Sequence, residues 1–400
     1  VTGQTARKEQ LMAAFIARYE TEPTVWVRAP GRVDLMGSHT DYNQGYVLTL
    51  PIDRDTWIAA QPRSDRVVRI HSLNVDGGSP FSLDAITHDE TLPWTNYVRG
   101  VAAILQAEGY ALTGFDGLVH STVPLSSGLS SSAALEAATA MLFRAFGGWE
   151  IDPVRLALLC KRAENEFVGM NCGILDQYTS ILGQVGYALL LDCRDLISQP
   201  VTLPDDLQVV ICDTRAQREL TGSEYGERRA QCEEGAWLLA RFYTEVTALR
   251  DVTLAQFEAH EADLPPVVAR RCRFVIEENE RVLRLAEALP TGDQAAIRAL
   301  TAASYEGARD LYEIGSPEMA AMIEAMLGAP GVIGARQAGA GFGGCLVAFV
   351  GTENVSAFEC HVRQSYVTAT GIESEVYPVQ AAAGAGGLRL PDIRDGEYSD

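Results

Sequence analysis

The stretch "VPLSSGLSSSAALEAAT" (residues 123–139) decides how this chain folds. The apolar run "GFDGLVHSTVP" (114–124) enters it as a strand, a Gly/Ser loop follows, and "SSAALEAATAMLFRAFG" (131–147) leaves as a helix. In a strand–loop–helix unit of this kind the loop amides and the helix N-terminus point the same way. That is an anion site, strengthened by the helix dipole. Gly128, Ser130, Ser131, Ser132 and Ala133 are the candidates for holding phosphate, and the serine hydroxyls also suit Mg²⁺. Read on their own, the serines equally suit plain capping of a helix after a flexible turn.

The rest of the chain narrows the chemistry. There are two lysines, Lys8 and Lys161, and neither stands in a glycine-rich loop. A Walker lysine and the strand lysine of protein kinases are therefore excluded, so amides, hydroxyls, arginine and a metal would have to hold any phosphates. With 32 basic and 53 acidic residues the formal charge is −21, which repels nucleic acid and anionic membranes. Neither is expected as a partner. The eight cysteines form no CxxC pair and no His–Cys cluster at metal spacing, the pattern of a reduced, cytoplasmic chain. No signal-type apolar run opens the sequence, and no apolar stretch approaches the roughly 18 residues of a membrane span.

Four hundred residues exceed one ordinary core. β-like runs dominate residues 24–74, helices and strands mix to about 214, residues 221–328 are strongly helical, and β-structure returns at 331–351. This predicts an α+β protein of two lobes, 1–200 and 201–387, followed by a polar tail over 388–400. A monomer is the default.

Three further segments carry polar side chains in patterns that bind ligands. "GRVDLMGSHTDYNQGYVL" (31–48) crowds an Arg, a His, two Asp and a Tyr into β-like sequence, as in strand ends that hold polyhydroxylated ligands and in ordinary polar turns. "AENEFVGMNCGILDQYTSILGQ" (163–184) places Asp176 just ahead of an apolar run, either as an N-cap or as a buried acid that accepts a proton. A nearby arginine would keep such an acid ionised, and Arg32 is the candidate. "ARQAGAGFGGCLVAF" (335–349) sets four glycines between two β runs. That is a bulged hairpin or a close backbone approach to ligand, and not a dinucleotide motif, because a strand follows where a helix is required.

In order, spacing and wording these segments resemble the galactokinases of the GHMP sugar and metabolite kinases, over residues 22–380. "APGRVDLMGSHTDYNQGYVLTLPID" is similar to that family's sugar signature, "PLSSGLSSSAALE" to its ATP loop and "ARQAGAGFGGC" to its C-terminal motif. "NEFVGMNCGILDQ" and "LTGSEYGERRAQCEEG" (220–235) are further galactokinase-like stretches. The resemblance implies the two-lobed GHMP-kinase fold with the site between the lobes. It implies ATP and Mg²⁺ as cofactors, and phosphorylation of the anomeric hydroxyl of D-galactose or a close relative.

Carried over by motif, Asp176 faces the C1 hydroxyl and Arg32 pairs with it. Ser38, His39, Asp41, Gly173 and Tyr225 belong to the sugar, Ser132 and Glu164 to the metal, and Trp94 to the adenine side. Two positions depart from the family pattern: Ser38 stands where the signature usually has Glu, and Asp34 where it favours Asn. The first departure raises an alternative, a kinase for a C6-altered sugar such as L-arabinose or D-galacturonate. A second alternative, a non-catalytic galactose and ATP sensor, is opposed by the intact "SSSAA" and the presence of Arg32 and Asp176.

Overall fold

Two antiparallel strands, β1 (Val25–Met36) and β2 (Tyr46–Pro62), form the spine of a computed structural model that describes residues 2–125, 127–216 and 223–388. The tail expected beyond Leu388 and residues 220–222 of the 220–235 stretch lie outside the described residues. α1 (Thr2–Tyr19) precedes the spine. After it come β3 (Val67–Ser72), β4 (Gly78–Ser82), α2 (Thr95–Ala107), β5 (Phe115–Ser121) and α3 (Ser131–Gly147). α4 (Pro153–Arg162), α5 (Leu175–Leu182), β6 (Tyr187–Asp192) and β7 (Ile197–Thr202) follow. These strands, joined by β12 (Gly386–Gly387) from the far end of the chain, make one sheet. Its order is β12-β1-β2-β5-β3-β4, with β6 and β7 branching from the first half of β2. β3 and β5 are parallel and the other pairs are antiparallel.

The second half of the chain contributes β8 (Leu207–Asp213), α6 (Ser223–Leu239), α7 (Leu254–His260) and α8 (Pro266–Ala288). α9 (Gln294–Asp310), α10 (Pro317–Leu327), β9 (Val332–Gln337), β10 (Cys345–Gly351), α11 (Val355–Thr370) and β11 (Glu375–Val379) complete it. Its sheet runs β11-β8-β10-β9, antiparallel throughout.

The apolar pattern explains the layering. β1 buries Val33 and Leu35, and β2 Leu48 and Leu50, in a core shared with Val209, Ile211, Val347 and Phe349 of the second sheet and Val282 and Leu285 of α8. Each such side chain contributes about 1.5–3 kcal/mol by leaving water. The two lobes are thus joined by a hydrophobic core and not merely by a linker. The helices α2–α5 cover the first sheet around Phe115, Phe143 and Tyr178, and α10 and α11 cover the second.

Two local features bear on the site and on the lobe boundary. α4 stops at Arg162, and Ala163–Val168 continues as π-helix, a form frequent at functional sites. The boundary expected near 200 falls inside β7, which pairs with β6 in the first sheet; the change of sheet comes only after Thr202.

Candidate active site

β1 carries two register shifts against β2, between Pro30 and Arg32 and between Asp34 and Met36. Bulges of this kind re-aim side chains, and here Arg32 and Asp34 both face a cavity of about 430 Å³. The cavity is closed on its other sides by His39, Asp41, Glu164, the loop Gly169–Gly173, Asp176, Tyr225 and Gly339–Ala340. Its residues come from the 31–48 stretch, the 163–184 segment, α6 and the glycine-dense hairpin, which the fold brings together.

Arg32 donates from Nε (2.9 Å) and Nη2 (2.6 Å) to Oδ1 of Asp176, and from Nη1 to the carbonyl of Gly128 (2.6 Å). Burial pulls the Arg32 pKa down, but Asp176 and Asp34 outweigh it and leave it raised, so the guanidinium is a permanent cation. Asp176 lies in the first turn of α5, whose N-cap is Ile174, so the capping reading of this acid gives way to the ion pair. Both Arg32 bonds fall on Oδ1. Oδ2 keeps no protein partner among the described residues, in a side chain one-quarter exposed to the cavity.

The serine loop lies against the same floor. Arg32 N–H bonds the carbonyl of Leu129, and a Cβ on Gly31 would press on that oxygen, so the signature and the loop touch. Ser130 precedes α3 in the left-handed region at φ 59° and makes no capping bond; its buried Oγ has no partner. Capping alone therefore does not account for this serine. Ser132 lies near Glu164 and favours its charged form, but burial and Asp176 outweigh it and push the Glu164 carboxyl up to about 7. Beside it the fully buried Glu136 shares the amide of Gln177 with Glu164 (2.9 and 2.6 Å) and leaves Oε1 unpartnered. Two buried carboxylates with one amide between them and an orphan oxygen fit a divalent cation with oxygen ligands. Among the described residues no group of three His, Cys, Asp or Glu side chains forms a complete metal site, so Mg²⁺ would draw its remaining ligands from phosphate and water.

On the sugar-signature side, a Cβ on Gly173 would overlap the Asp41 carboxylate, which explains the glycine. Burial, then Asp176, raises the Asp41 carboxyl to about 6. Tyr225 packs on His39 and Tyr42, with ring centroids 5.4 Å from each. His39 has φ 65° and a pKa lowered to about 4 by burial, so it is neutral. Its Nε2 meets the Ala340 carbonyl (3.0 Å), an acceptor only, and must carry the proton. Nδ1 then accepts from the hydroxyl of Tyr42 (2.8 Å), which is bonded in turn to Tyr312 (2.7 Å). Both ring nitrogens are thereby spent on protein, and His39 ties the signature to the glycine hairpin of the second lobe. Trp94 is not in the cavity wall: it precedes α2, half-buried against the first core, with Nε1 unpartnered.

Family models match at three places: the GHMP kinases N terminal domain over 96–184, the galactokinase galactose-binding signature over 13–62, and the GHMP kinases C terminal region over 285–368. The galactokinase of Chloroflexus aurantiacus is 43% identical over 376 residues, covering 94% of this chain and 96% of that one. The crystal structure of Lactococcus lactis galactokinase complexed with galactose superposes with a TM-score of 0.90 at 32% identity, over 95% of this chain and 99% of that one. The chain belongs to the galactokinase family. A mevalonate kinase from Methanococcus jannaschii shares the fold alone, with a TM-score of 0.62 at 16% identity over 89% of this chain and 98% of that one. The relatives of this galactokinase-family protein do not favour the alternative of a kinase for C6-altered sugars.

Sequence reasoning missed what lies beneath Ser38. In this galactokinase-family chain Ser38 Oγ donates to Oδ2 of Asp34 (2.8 Å) and accepts from Nη2 of Arg336 (2.8 Å). Asp34 Oδ1 accepts from the amide of Gly339 (2.5 Å). Arg336, fully buried, also reaches Ser304 and Glu278, and Glu278 in turn holds the amide of Gly37 (3.1 Å). The one signal available was charge: an Asp inside an apolar strand calls for a buried cation, and "ARQ" in the glycine motif supplies it.

Proposed function

We propose that this protein transfers the γ-phosphoryl group of ATP to the C1 hydroxyl of D-galactose. The observation that carries the reading is the Arg32–Asp176 pair, which leaves one carboxylate oxygen free at the floor of a sugar-sized cavity and ties the same guanidinium to the phosphate loop. Asp176 Oδ2 orients the C1 hydroxyl and takes its proton. Arg32 fixes Asp176 in place and stabilises the charge on the phosphoryl in flight, together with the amides of the loop at Gly128 and Ser130–Ala133.

Ser132 and Glu164 would hold Mg²⁺, which neutralises phosphate charge when bound. Asp41, backed by Gly173, together with Ser38 and Tyr225, engages the sugar hydroxyls, while His39 shapes the pocket; Trp94 borders the adenine side. The eight cysteines, none of them in a disulfide, support a cytoplasmic setting, and a monomer is the working assumption.

Asp176→Asn should lower kcat about 10²- to 10⁴-fold in a coupled ADP-release assay with galactose. Phosphorus NMR should show the product as a C1 ester. Wild-type turnover by the variant, or phosphate on another hydroxyl, would overturn the assignment.

A further inference from the structure

Arg32 and Asp34 are two residues apart on β1, so the Asp34–Ser38 end of the cavity lies about 7 Å along the strand from the Arg32–Asp176 end. With the C1 hydroxyl at Asp176, the sugar atoms that reach this far end are those remote from C1, among them the exocyclic C6 arm. What the end offers a ligand follows from counting donors. All five Arg336 N–H groups face protein: Nε meets Ser304, Nη1 the carbonyl and Oδ2 of Asp34, and Nη2 Ser38 and Glu278. Guanidinium nitrogens only donate, so Ser38 Oγ must accept from Nη2, and its own hydrogen must go to Asp34. Asp34 is met by donors alone, from Gly339, Ser38 and Arg336. The valences that the Ser38, Asp34 and Arg336 side chains leave free at this end of the cavity are therefore lone pairs.

We infer that Asp34 is a specificity-determining residue that, by fixing the Ser38 hydroxyl, makes the side chains at the far end of the sugar pocket hydrogen-bond acceptors with no donor to offer, selecting a C6 hydroxyl and rejecting a C6 carboxylate. This rests on the proposed galactose kinase reading. Asp34 supplies the negative charge that Ser38 cannot, and Arg336 keeps that charge neutralised from behind without itself becoming available to a carboxylate substrate. Replacing Asp34 by Asn reverses the polarity. With the Asn oxygen held by the Gly339 amide, its NH2 would face Arg336 donor to donor, and the Ser38 hydrogen, having lost its acceptor, would turn toward the ligand. Ser38→Ala instead removes a lone pair and leaves the carboxylate of Asp34 in place.

The test is kcat/KM for D-galactose, 6-deoxy-D-galactose and D-galacturonate on the full-length wild type, Asp34→Asn and Ser38→Ala, with a thermal melt of each. Asp34→Asn should narrow the galactose to galacturonate ratio by about tenfold or more. Ser38→Ala should narrow the galactose to 6-deoxygalactose ratio by a similar factor and leave galacturonate rejected. Should Asp34→Asn fail to fold, the Ser38→Ala ratio decides the matter alone. A wild type that phosphorylates galactose while neither variant moves its ratio overturns this inference and leaves the kinase reading standing. A wild type inert toward galactose overturns both.

Discussion

Asp41 titrates where assays are run. Its carboxyl lies at about 6 in the folded protein, raised by burial and then by Asp176 from 3.8. The folded state thus holds this proton more tightly than the unfolded one, so the stability it contributes is present below pH 3.8 and lost as pH rises through about 6. Sugar binding runs the other way, because hydroxyl donors want the ionised carboxylate. Galactose affinity, titrated without ATP or metal to keep Glu164 out of the reading, should fall up to tenfold per pH unit below about 6. A flat profile from pH 5 to 7 would remove Asp41 from the sugar site.

His39 gives a second residue-scale expectation. Its imidazole should show the Nε2–H tautomer in nitrogen NMR and stay neutral down to about pH 4. A signal titrating near 6.5 would mean that the Tyr42 and Ala340 bonds are not held in solution.

Among the elements, β9 shows both faces of the chain's design. Arg336 points to the interlobe core and finds five acceptor atoms on four residues, whereas its neighbour Gln337 points the opposite way and is buried with neither amide atom satisfied. An unpaired buried amide costs about 1–3 kcal/mol, so Gln337→Met should raise the melting temperature by a few degrees. No gain, or a loss, would show that water or a ligand satisfies the glutamine.

The same strand marks how far the sequence could be read. α3 was legible to the residue because its Ala and Leu periodicity begins right after the serines. β7 was not, since Pro200 and its exposed residues suit an edge strand and a linker equally. The π-turn after α4 had no local signal, because it depends on packing against α2. Asp176 and Arg32 stood out as candidates by residue type and position, and Glu164 only through motif wording. The Asp34–Arg336 contact joins residues 302 apart, and nothing local in either segment reports the other.

At the scale of the whole molecule, −21 charges on one chain repel each other across the surface. Raising ionic strength from about 10 to 150 mM shortens the Debye length from roughly 30 to 8 Å and should raise the melting temperature. A fall instead would mean that the many surface Arg–carboxylate pairs outweigh the general repulsion.

The return of the chain to its own beginning has a consequence for the order of synthesis. Residues 381–388 bond back to the first lobe: Ala382 to Pro51, Gly384 to Gly183, Ala385 to Ser180 and Leu388 to Trp26, while Arg28 reaches the carbonyls of Ala383 and Gly384. Gly37 and Tyr46, at the two ends of the signature loop, likewise lean on Glu278 and Asn279 of α8. A ribosome releasing this protein from its N-terminus therefore exposes the sugar signature long before the segments that brace it have been made. Nascent chains arrested before residue 278 should remain protease-sensitive around residues 31–48, and protection there should appear only once α8 has emerged.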